Sequence, residues 1–191
     1  MVQLLFATGN VNKVREASLI LSRFNIGIRP VDVRKVEIQS DSIEEIVEYA
    51  LRASCMDWLV VEDDGLFIEA LRGFPGPYSS YVYRTIGLEG VLKLMEGASN
   101  RSAYFKSVVG LCMGGRIYLF TGVVKGMIAG EIRGSLGFGY DPIFIPEGYD
   151  RTFAEMGPVE KSRISHRARA FTSLAEFLTK QGLVGASPGG S

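Results

Sequence analysis

Three consecutive carboxylates follow an apolar run in the first third of this 191-residue sequence. The segment reads VVEDDG and places Glu62, Asp63 and Asp64 directly after two valines. Neighbouring carboxylates repel one another, and burial raises their pKa values unless a cation is bound between them. Mg²⁺ commonly takes one or two carboxylates together with phosphate oxygens and water. The cluster therefore predicts a magnesium site, where one carboxylate could accept a proton from an attacking water. The alternative is a solvated acidic turn.

A second candidate site lies where the first apolar run of the chain ends. Thr8, Gly9 and Asn10 form a turn there, and Lys13 lies three residues further on, in the first turn of a helical pattern. A glycine lets the backbone turn and lets a ligand approach the main chain. A helix N-terminus presents unpaired N–H groups and the positive end of the helix dipole. The turn therefore predicts phosphate binding, although it lacks the Walker pattern. The alternative is an ordinary strand–helix turn with an N-cap.

The segment GFGYDP, residues 137–142, offers groups that suit a nucleoside. Its aromatic side chains, Phe138 and Tyr140, could stack on a purine ring, a contact that contributes roughly 1–3 kcal/mol per base. Gly139 leaves the backbone between them free, and Asp141 could bond the sugar or the edge of the base. The alternative is a glycine-rich connection whose aromatic residues belong to the core.

Hydrogen-bond donors are concentrated in the segment EKSRISHRARA, residues 160–170. It contains the one histidine of the sequence, His166, next to Arg167 and five residues after Lys161, and Ser165 is a suitable N-cap for the last helix. These donors would meet at one helix entrance. A lone histidine is more often structural than functional, so the segment alone does not decide its role.

Hydrophobic periodicity and turn residues predict the elements that position these groups. A buried strand over residues 2–8 leads into a helix that begins at Val11, with Asn10 as N-cap. The further predicted strands cover 26–34, 58–61, 66–71, 102–133 with a hairpin turn at Gly114 and Gly115, and 143–145, and the further helices cover 42–55, 87–95 and 165–180. This order predicts an α/β protein around a mixed sheet.

The composition limits the class of partner. Acidic and basic residues number 21 each, so no net charge favours nucleic acid or a membrane surface as the main partner. No window holds the roughly 18 consecutive apolar residues of a membrane-spanning helix. Cys55 and Cys112 lack metal-ligand spacing and are expected to be buried packing residues of a cytoplasmic protein.

Six motifs, taken together, resemble the inosine triphosphate pyrophosphatase family, enzymes that remove non-standard purine nucleoside triphosphates. They occur in the order and at the spacing of that family, over about residues 3–180. The motifs are Thr8-Gly-Asn-x-x-Lys13, Glu62-Asp-x-Gly65, Gly73-Phe-Pro-Gly-x-Tyr-Ser79, Gly137-Phe-Gly-Tyr-Asp141, Thr152-Phe-Ala-Glu-Met156 and Ser165-His-Arg167.

The resemblance implies a fold, a reaction and an assembly. The fold would be an elongated mixed β-sheet flanked by helices, with two lobes and a central nucleotide-binding cleft. One domain would cover residues 1–181, and residues 182–191 would form a disordered tail. The reaction would be the Mg²⁺-dependent hydrolysis of ITP, dITP and XTP to the monophosphate and pyrophosphate. The assembly would be a cytoplasmic homodimer.

The resemblance also implies roles for the candidate residues. Glu37 and Asp63 would bind the metal, and Asp63 would accept the proton of water. The triphosphate would be held by Thr8, Gly9, Asn10 and Lys13. The base and sugar would be held by Phe138, Gly139, Tyr140, Asp141, Lys161, His166 and Arg167.

Two positions depart from the family pattern. Asp64 stands where the family usually has a serine or threonine. It adds negative charge beside an anionic substrate unless it faces the metal or a basic side chain, so we expect a tighter metal dependence and treat Asp64 as a substrate contact. Many bacterial members have a lysine near the position of Tyr49. Here either Arg52, one turn further on, takes its place or the phosphates are held with fewer cations. The loop of residues 73–83, with three tyrosines, is a candidate dimer surface, with core packing as the alternative.

Two other functions remain open at this point. One is a Maf-type nucleotide pyrophosphatase, against which the motifs at 137–141 and 165–167 argue. The other is a nucleotide-binding regulatory protein without catalysis. The presence of Lys13, Glu37 and Asp63 argues against that second reading.

Overall fold

The computed structural model of the chain describes residues 2–33, 36 and 38–184, and within these ranges it has seven strands and six α-helices. The strands are β1 (Gln3–Ala7), β2 (Gly27–Val31), β3 (Leu59–Ile68), β4 (Pro75–Gly76), β5 (Ser102–Met113), β6 (Arg116–Ile128) and β7 (Phe144–Pro146). The helices are α1 (Val11–Leu21), α2 (Ile43–Ser54), α3 (Ser79–Thr85), α4 (Gly87–Leu94), α5 (Pro158–Ile164) and α6 (His166–Lys180). Within the described ranges, no helix has the length and hydrophobicity of a membrane-spanning segment.

All seven strands join one mixed sheet. Its order is β2-β1-β3-β5-β6-β7, and β4 pairs with part of β3. β1 runs parallel to both β2 and β3, whereas the pairs β3–β5, β5–β6 and β6–β7 are antiparallel. The predicted mixed α/β fold is confirmed.

Helices cover both faces of the sheet and meet two different sets of strand residues. α1 and α6 pack on one face, in a cluster that contains Phe6 and Val60 of the strands and Phe171 of α6. α2 packs on the other face, in a cluster that contains Val61 and Val108. Since Val60 and Val61 are neighbours, the side chains of β3 alternate between these two helical layers.

The acidic cluster lies inside a strand, so the alternative of a solvated acidic turn is wrong. Residues 59–68 form one continuous strand, paired with β5 from Leu59 opposite Cys112 to Ile68 opposite Ala103. The predicted segments 58–61 and 66–71 are therefore one element, and its last three predicted residues form a 3₁₀ turn. By alternation, Glu62 and Asp64 face α1 and α6, whereas Asp63 faces the side of α2.

Local signals predicted several boundaries well and missed two short helices. Asn10 caps α1, Ser165 caps α6, and the hairpin turns at Gly114 and Gly115, both with positive φ. β6 ends at Ile128, earlier than predicted. The missed helices are α3, which follows a Gly/Pro-rich loop, and α5, which has seven residues and begins at a proline.

The interpretation of the cysteines is correct for one residue and wrong for the other. Cys112 is 1% exposed, but Cys55 is exposed just beyond the end of α2. The two sulfur atoms form a disulfide, with the Cα atoms 5.7 Å apart and a sequence separation of 57. The spacing of the two cysteines did not predict this pairing, because it depends on how α2 lies against β5.

Removing the disulfide should lower stability by about 2–4 kcal/mol, because the link closes a long loop in the unfolded chain. We expect Cys55→Ser and chemically reduced wild type to unfold at the same, lower temperature in thermal denaturation. Cys55→Ser should not respond further to reductant. A wild-type melting temperature that ignores reductant would contradict this prediction.

Candidate active site

The predicted site residues border one cavity with a volume of about 1120 Å³. Its walls include the end of β1, the first turn of α1, the middle of β3, the start of α3, the loop before β7, α5 and the start of α6. The site residues on its wall are Thr8, Gly9, Asn10, Lys13, Asp63, Asp64, Phe138, Gly139, Tyr140, Asp141, Lys161, His166 and Arg167. Glu37 lies outside the described residues, so its place in the site stays a prediction.

The turn after β1 is organised by its own side chains. Thr8 Oγ1 accepts a hydrogen bond from the Asn10 N–H at 3.1 Å. Asn10 Oδ1 accepts from the N–H groups of Asn12 at 3.0 Å and Lys13 at 3.3 Å. The sequence predicted unpaired N–H groups at the start of α1. In the structure, two of these groups are paired with the Asn10 side chain.

Gly9 is open to the cavity rather than needed by the turn. A β-carbon at this position would meet no heavy atom within 4 Å, and Gly9 is not among the residues with positive φ. The reason for a glycine here is therefore not backbone strain. What remains is the room that it leaves for a ligand to approach the main chain.

Lys13 reaches from α1 to the carboxylates of β3. Its Nζ lies 2.9 Å from Glu62 Oε2 and 2.5 Å from Asp64 Oδ1. Burial alone would lower the pKa of Lys13, but Asp64 and Glu62 outweigh it and the net shift is upward. The lysine thus carries its charge at neutral pH.

Arg167 is the centre of a buried ion-pair network. It is 1% exposed, and its Nη2 lies 3.1 Å from Glu62 Oε1 and 2.9 Å from Asp64 Oδ1. Its Nη1 lies 2.5 Å from Glu16 Oε2. Burial lowers the pKa of Arg167, but the three carboxylates raise it well above its usual value. One guanidinium therefore joins α6 to β3 and α1.

Glu16 was missed by the sequence analysis, and it connects the two ends of the cavity. One of its oxygens meets Arg167, and the other lies 2.5 Å from Lys161 Nζ. Lys161 in turn lies 2.6 Å from Asp141 Oδ2. One signal was available, because Glu16 follows Lys13 by three residues and so lies on the same face of α1.

Glu16 should make the protein sensitive to acid. Burial raises its pKa, but Arg167 and Lys161 outweigh burial and lower it from the ordinary 4.5 to about 2. A depressed carboxylate pKa stabilises the fold above about pH 4.5, and this stability is lost as the pH falls towards 2. The loss should be roughly 2–3 kcal/mol. Glu16→Gln should be less stable at pH 7 and should lose less stability between pH 5 and pH 2.5 in urea titrations. Equal pH slopes in both proteins would contradict the assignment.

The loop before β7 is closed by Asp141. Its Oδ2 accepts the Phe138 N–H at 2.9 Å and also binds Lys161. A β-carbon on Gly137, whose φ is +76°, would collide with this carboxylate, so the loop requires glycine there. Burial raises the pKa of Asp141 despite the nearby lysine. Asp141 is thus already engaged in holding the loop, which limits what it can offer a sugar or a base.

The two aromatic residues of this loop differ in what they can present. Phe138 is partly buried, with Lys161 Nζ 4.9 Å and Arg167 Cζ 5.5 Å from the centre of its ring. Tyr140 is 4% exposed, packs in a core cluster, and donates its hydroxyl to the Ser79 carbonyl at 2.8 Å. The expectation of stacking surface therefore fits Phe138, while the core alternative fits Tyr140.

His166 lies at the start of α6 with little hydrogen bonding to the protein. Its ring stacks on Phe105 at 4.5 Å, and Nε2 lies 3.5 Å from Asp64 Oδ2. Within the described residues, neither ring nitrogen has a hydrogen-bond partner. Burial lowers the pKa of His166, which favours the neutral ring. A neutral imidazole can donate from one nitrogen and accept at the other.

Gly122 of β6 lets α6 lie directly on the sheet. A β-carbon here would collide with the His166 carbonyl oxygen and the Ala170 nitrogen. The backbone that carries His166 and Arg167 therefore rests on a strand position that has no side chain.

Asp63 is electrostatically different from its two neighbours in β3. Its Oδ1 accepts the Asp64 N–H at 3.0 Å, and within the described residues no cationic side chain pairs with it. Burial, followed by Asp64 and Glu62, raises the pKa of Asp63 to about 6 although Lys13 opposes the shift. A partly buried carboxylate on the cavity wall, without a counter-ion, is a suitable ligand for a divalent cation.

A complete metal site is not formed by the described residues alone. Within these ranges, no group of three His, Cys, Asp or Glu side chains could hold a metal ion. Ile38, Gln39 and Ser40, which follow the predicted ligand Glu37 in sequence, border the cavity. Asp63 on the cavity wall could supply one of the one or two carboxylates that Mg²⁺ takes when its other ligands are phosphate oxygens and water.

One wall of the cavity contains exposed aromatic residues. Tyr78, Tyr81 and Tyr83 are 42%, 62% and 41% exposed and lie in or just before α3. Core packing, the alternative for this loop, does not agree with these exposures. The loop's role as a dimer surface stays a prediction. Arg52, the proposed substitute for a lysine, instead pairs with Glu48 on the surface of α2 and does not border the cavity.

The sequence matches a known protein family and several of its named members over nearly its full length. Residues 4–177 match the model of the Ham1 family. The dITP/XTP pyrophosphatase of Methanopyrus kandleri is 58% identical over 181 residues, which are 92% of this chain and 96% of that protein. The dITP/XTP pyrophosphatase of Pyrobaculum aerophilum is 52% identical over 95% of this chain and 99% of that protein.

Solved structures agree with these sequence matches. The Ham1 protein of Staphylococcus aureus superimposes with a TM-score of 0.81 at 28% identity, covering 94% of this chain and 99% of that one. A HAM1 protein from Coxiella burnetii gives 0.78 at 33% identity, covering 94% and 100%. The chain belongs to the Ham1 family.

Proposed function

We propose that this protein hydrolyses non-standard purine nucleoside triphosphates, namely ITP, dITP and XTP, to the monophosphate and pyrophosphate. One observation carries the proposal: a phosphate-type turn with Lys13, the carboxylate Asp63, and the Phe138 loop all border the same cavity. Relatives at 52% and 58% identity carry the name dITP/XTP pyrophosphatase, which supports the same substrate class.

The phosphate end of the substrate would lie over the turn at Thr8–Asn10. Gly9 leaves open space there, the N-terminus of α1 provides the positive end of a helix dipole, and Lys13 supplies a permanent charge. These groups are positioned before the substrate arrives, because Asn10 fixes the first turn of α1. They would neutralise the charge that develops on the departing pyrophosphate.

Asp63 would act on the water. Its raised pKa, near 6, lies close to the range in which a carboxylate accepts a proton efficiently at neutral pH. Asp63 and Glu37 would hold Mg²⁺, which neutralises phosphate charge and orients the reacting oxygens. The proton of the water would pass to an Asp63 oxygen as the oxygen of the water attacks the α-phosphorus in line with the leaving pyrophosphate.

The purine end would lie against Phe138 and the start of α6. Hypoxanthine and xanthine carry an acceptor oxygen at C6, where adenine carries a donor amine. A donor in the pocket would pair with the oxygen and be left unpaired by adenine, at a cost of about 1–3 kcal/mol. His166 has a free ring nitrogen for this task, whereas Arg167 is already surrounded by carboxylates.

The test is pyrophosphate release from ITP, XTP, dATP and dGTP, each measured with Mg²⁺ and with EDTA in its place. We expect strong release from ITP and XTP in Mg²⁺, weak release from dATP and dGTP, and none in EDTA. Equal release from all four would leave the phosphate chemistry intact and overturn the selectivity. No release from any would overturn the proposed function.

A further inference from the structure

The cations expected to meet the substrate are already bound to a carboxylate that faces the cavity. Asp64 Oδ1 lies 2.5 Å from Lys13 Nζ and 2.9 Å from Arg167 Nη2, and Asp64 Oδ2 lies 3.5 Å from His166 Nε2. A single side chain therefore contacts both the phosphate end and the purine end of the cavity.

Asp64 and Glu62 share cations but differ in access to the cavity. The side chain of Glu62 is completely buried, accepts a hydrogen bond from Ser107 at 2.7 Å, and does not border the cavity. The side chain of Asp64 is 18% exposed and borders it. Glu62 is thus a permanent partner of Lys13 and Arg167, while Asp64 occupies the side of these cations that faces an incoming ligand.

A triphosphate carries about four negative charges, and it would approach Lys13 from the direction that Asp64 already covers. Two anions on the same side of one ammonium group repel each other, and this repulsion is strong where little water separates them. Either Lys13 turns from Asp64 to the phosphates or the two anions share it. Both outcomes make the free energy of phosphate binding less favourable.

We propose that Asp64 is an internal competitor for the anionic substrate, a positioning residue that holds Lys13 and Arg167 in place in the free protein and gives up Lys13 when a triphosphate binds. This inference rests on the proposed function for the identity of the anion. Its consequence is weaker binding of both substrate and pyrophosphate than the same cations would give without Asp64, and therefore easier release of product.

The direct test is the binding of inorganic tripolyphosphate without metal, measured by calorimetry for wild type, Asp64→Asn and Glu48→Gln. Asp64→Asn keeps the shape of the side chain and removes its charge. Glu48→Gln removes one charge from the surface of α2, where Glu48 pairs with Arg52 away from the cavity. We expect at least tenfold tighter binding by Asp64→Asn and less than a twofold change for Glu48→Gln. Unchanged or weaker binding by Asp64→Asn would overturn the proposal.

Kinetics give a second readout that a purely structural role would not produce. For ITP with Mg²⁺, we expect KM of Asp64→Asn to fall at least fivefold while kcat changes less than threefold. A fall in kcat without a fall in KM would overturn the proposal. If Asp64→Asn does not fold, Asp64→Ser is measured against the same thresholds.

Failure of this inference and failure of the proposed function give different results. Wild type that releases pyrophosphate from ITP, with no effect of Asp64→Asn on tripolyphosphate binding, would overturn the inference alone. Wild type that is inactive on every nucleotide, with tighter tripolyphosphate binding by Asp64→Asn, would support the competitor and overturn the proposed function alone.

Discussion

Replacing Asp63 with asparagine should reduce pyrophosphate release from ITP about a thousandfold, within the range that general-base catalysis typically contributes. The amide keeps the size of the side chain but can neither accept the proton of water nor balance the charge of a metal ion. Because Asp63 makes no ion pair with the protein in the described ranges, the fold should tolerate the change. The measurement is the initial rate of pyrophosphate release, together with nucleotide binding by calorimetry.

A matched variant tests whether any loss of an aspartate would do the same. Asp150 is exposed and does not border the cavity, so Asp150→Asn should keep wild-type activity. We expect Asp63→Asn to bind ITP within about tenfold of wild type, since the phosphate turn and the Phe138 loop are intact. Activity within tenfold of wild type in Asp63→Asn would exclude this residue as the proton acceptor.

Replacing Arg167 with methionine should destabilise the protein by about 3–5 kcal/mol, the range observed when one partner of a buried ion pair is removed. Three carboxylates, Glu16, Glu62 and Asp64, would then depend on the two lysines that remain near them. In thermal denaturation this corresponds to a melting temperature lower by roughly 10 °C for a chain of this size. Methionine preserves much of the packed volume, so the effect is mainly electrostatic.

Arg169 provides the control on the same helix. It is exposed and donates a hydrogen bond to the Val123 carbonyl at 2.6 Å, so Arg169→Met should lose about 1 kcal/mol or less. If Arg167→Met were as stable as Arg169→Met, the ion-pair network would contribute no net stability. That outcome occurs where well-packed apolar groups replace buried charges without loss.

Local patterns predicted the parts of the site that depend on short spacing. The turn at Thr8–Asn10 and Lys13 lie within six residues, so a strand, a cap and a helix suffice to place them. The acidic cluster was assigned to the correct position in the chain. The alternative of a solvated acidic turn was wrong, because the charges of Glu62 and Asp64 are neutralised inside the strand by Lys13 and Arg167.

The remaining features depend on contacts between distant segments. Glu16 meets Arg167 across 151 residues of sequence, and neither residue predicts the other. The link between Cys55 and Cys112 likewise requires α2 to lie against β5. Tyr140 was expected at the cavity as an aromatic surface, but its ring is taken up by a core that forms only when β7 and α3 come together.

The contact between Gly122 and α6 has a consequence for engineering the substrate range. Position 122 does not border the cavity, yet the absence of a side chain there sets the depth at which His166 and Arg167 enter it. A mutant library restricted to cavity-lining positions would leave this control untouched. Small side chains at position 122 offer a way to shift the start of α6 as a unit, without altering any residue that borders the cavity.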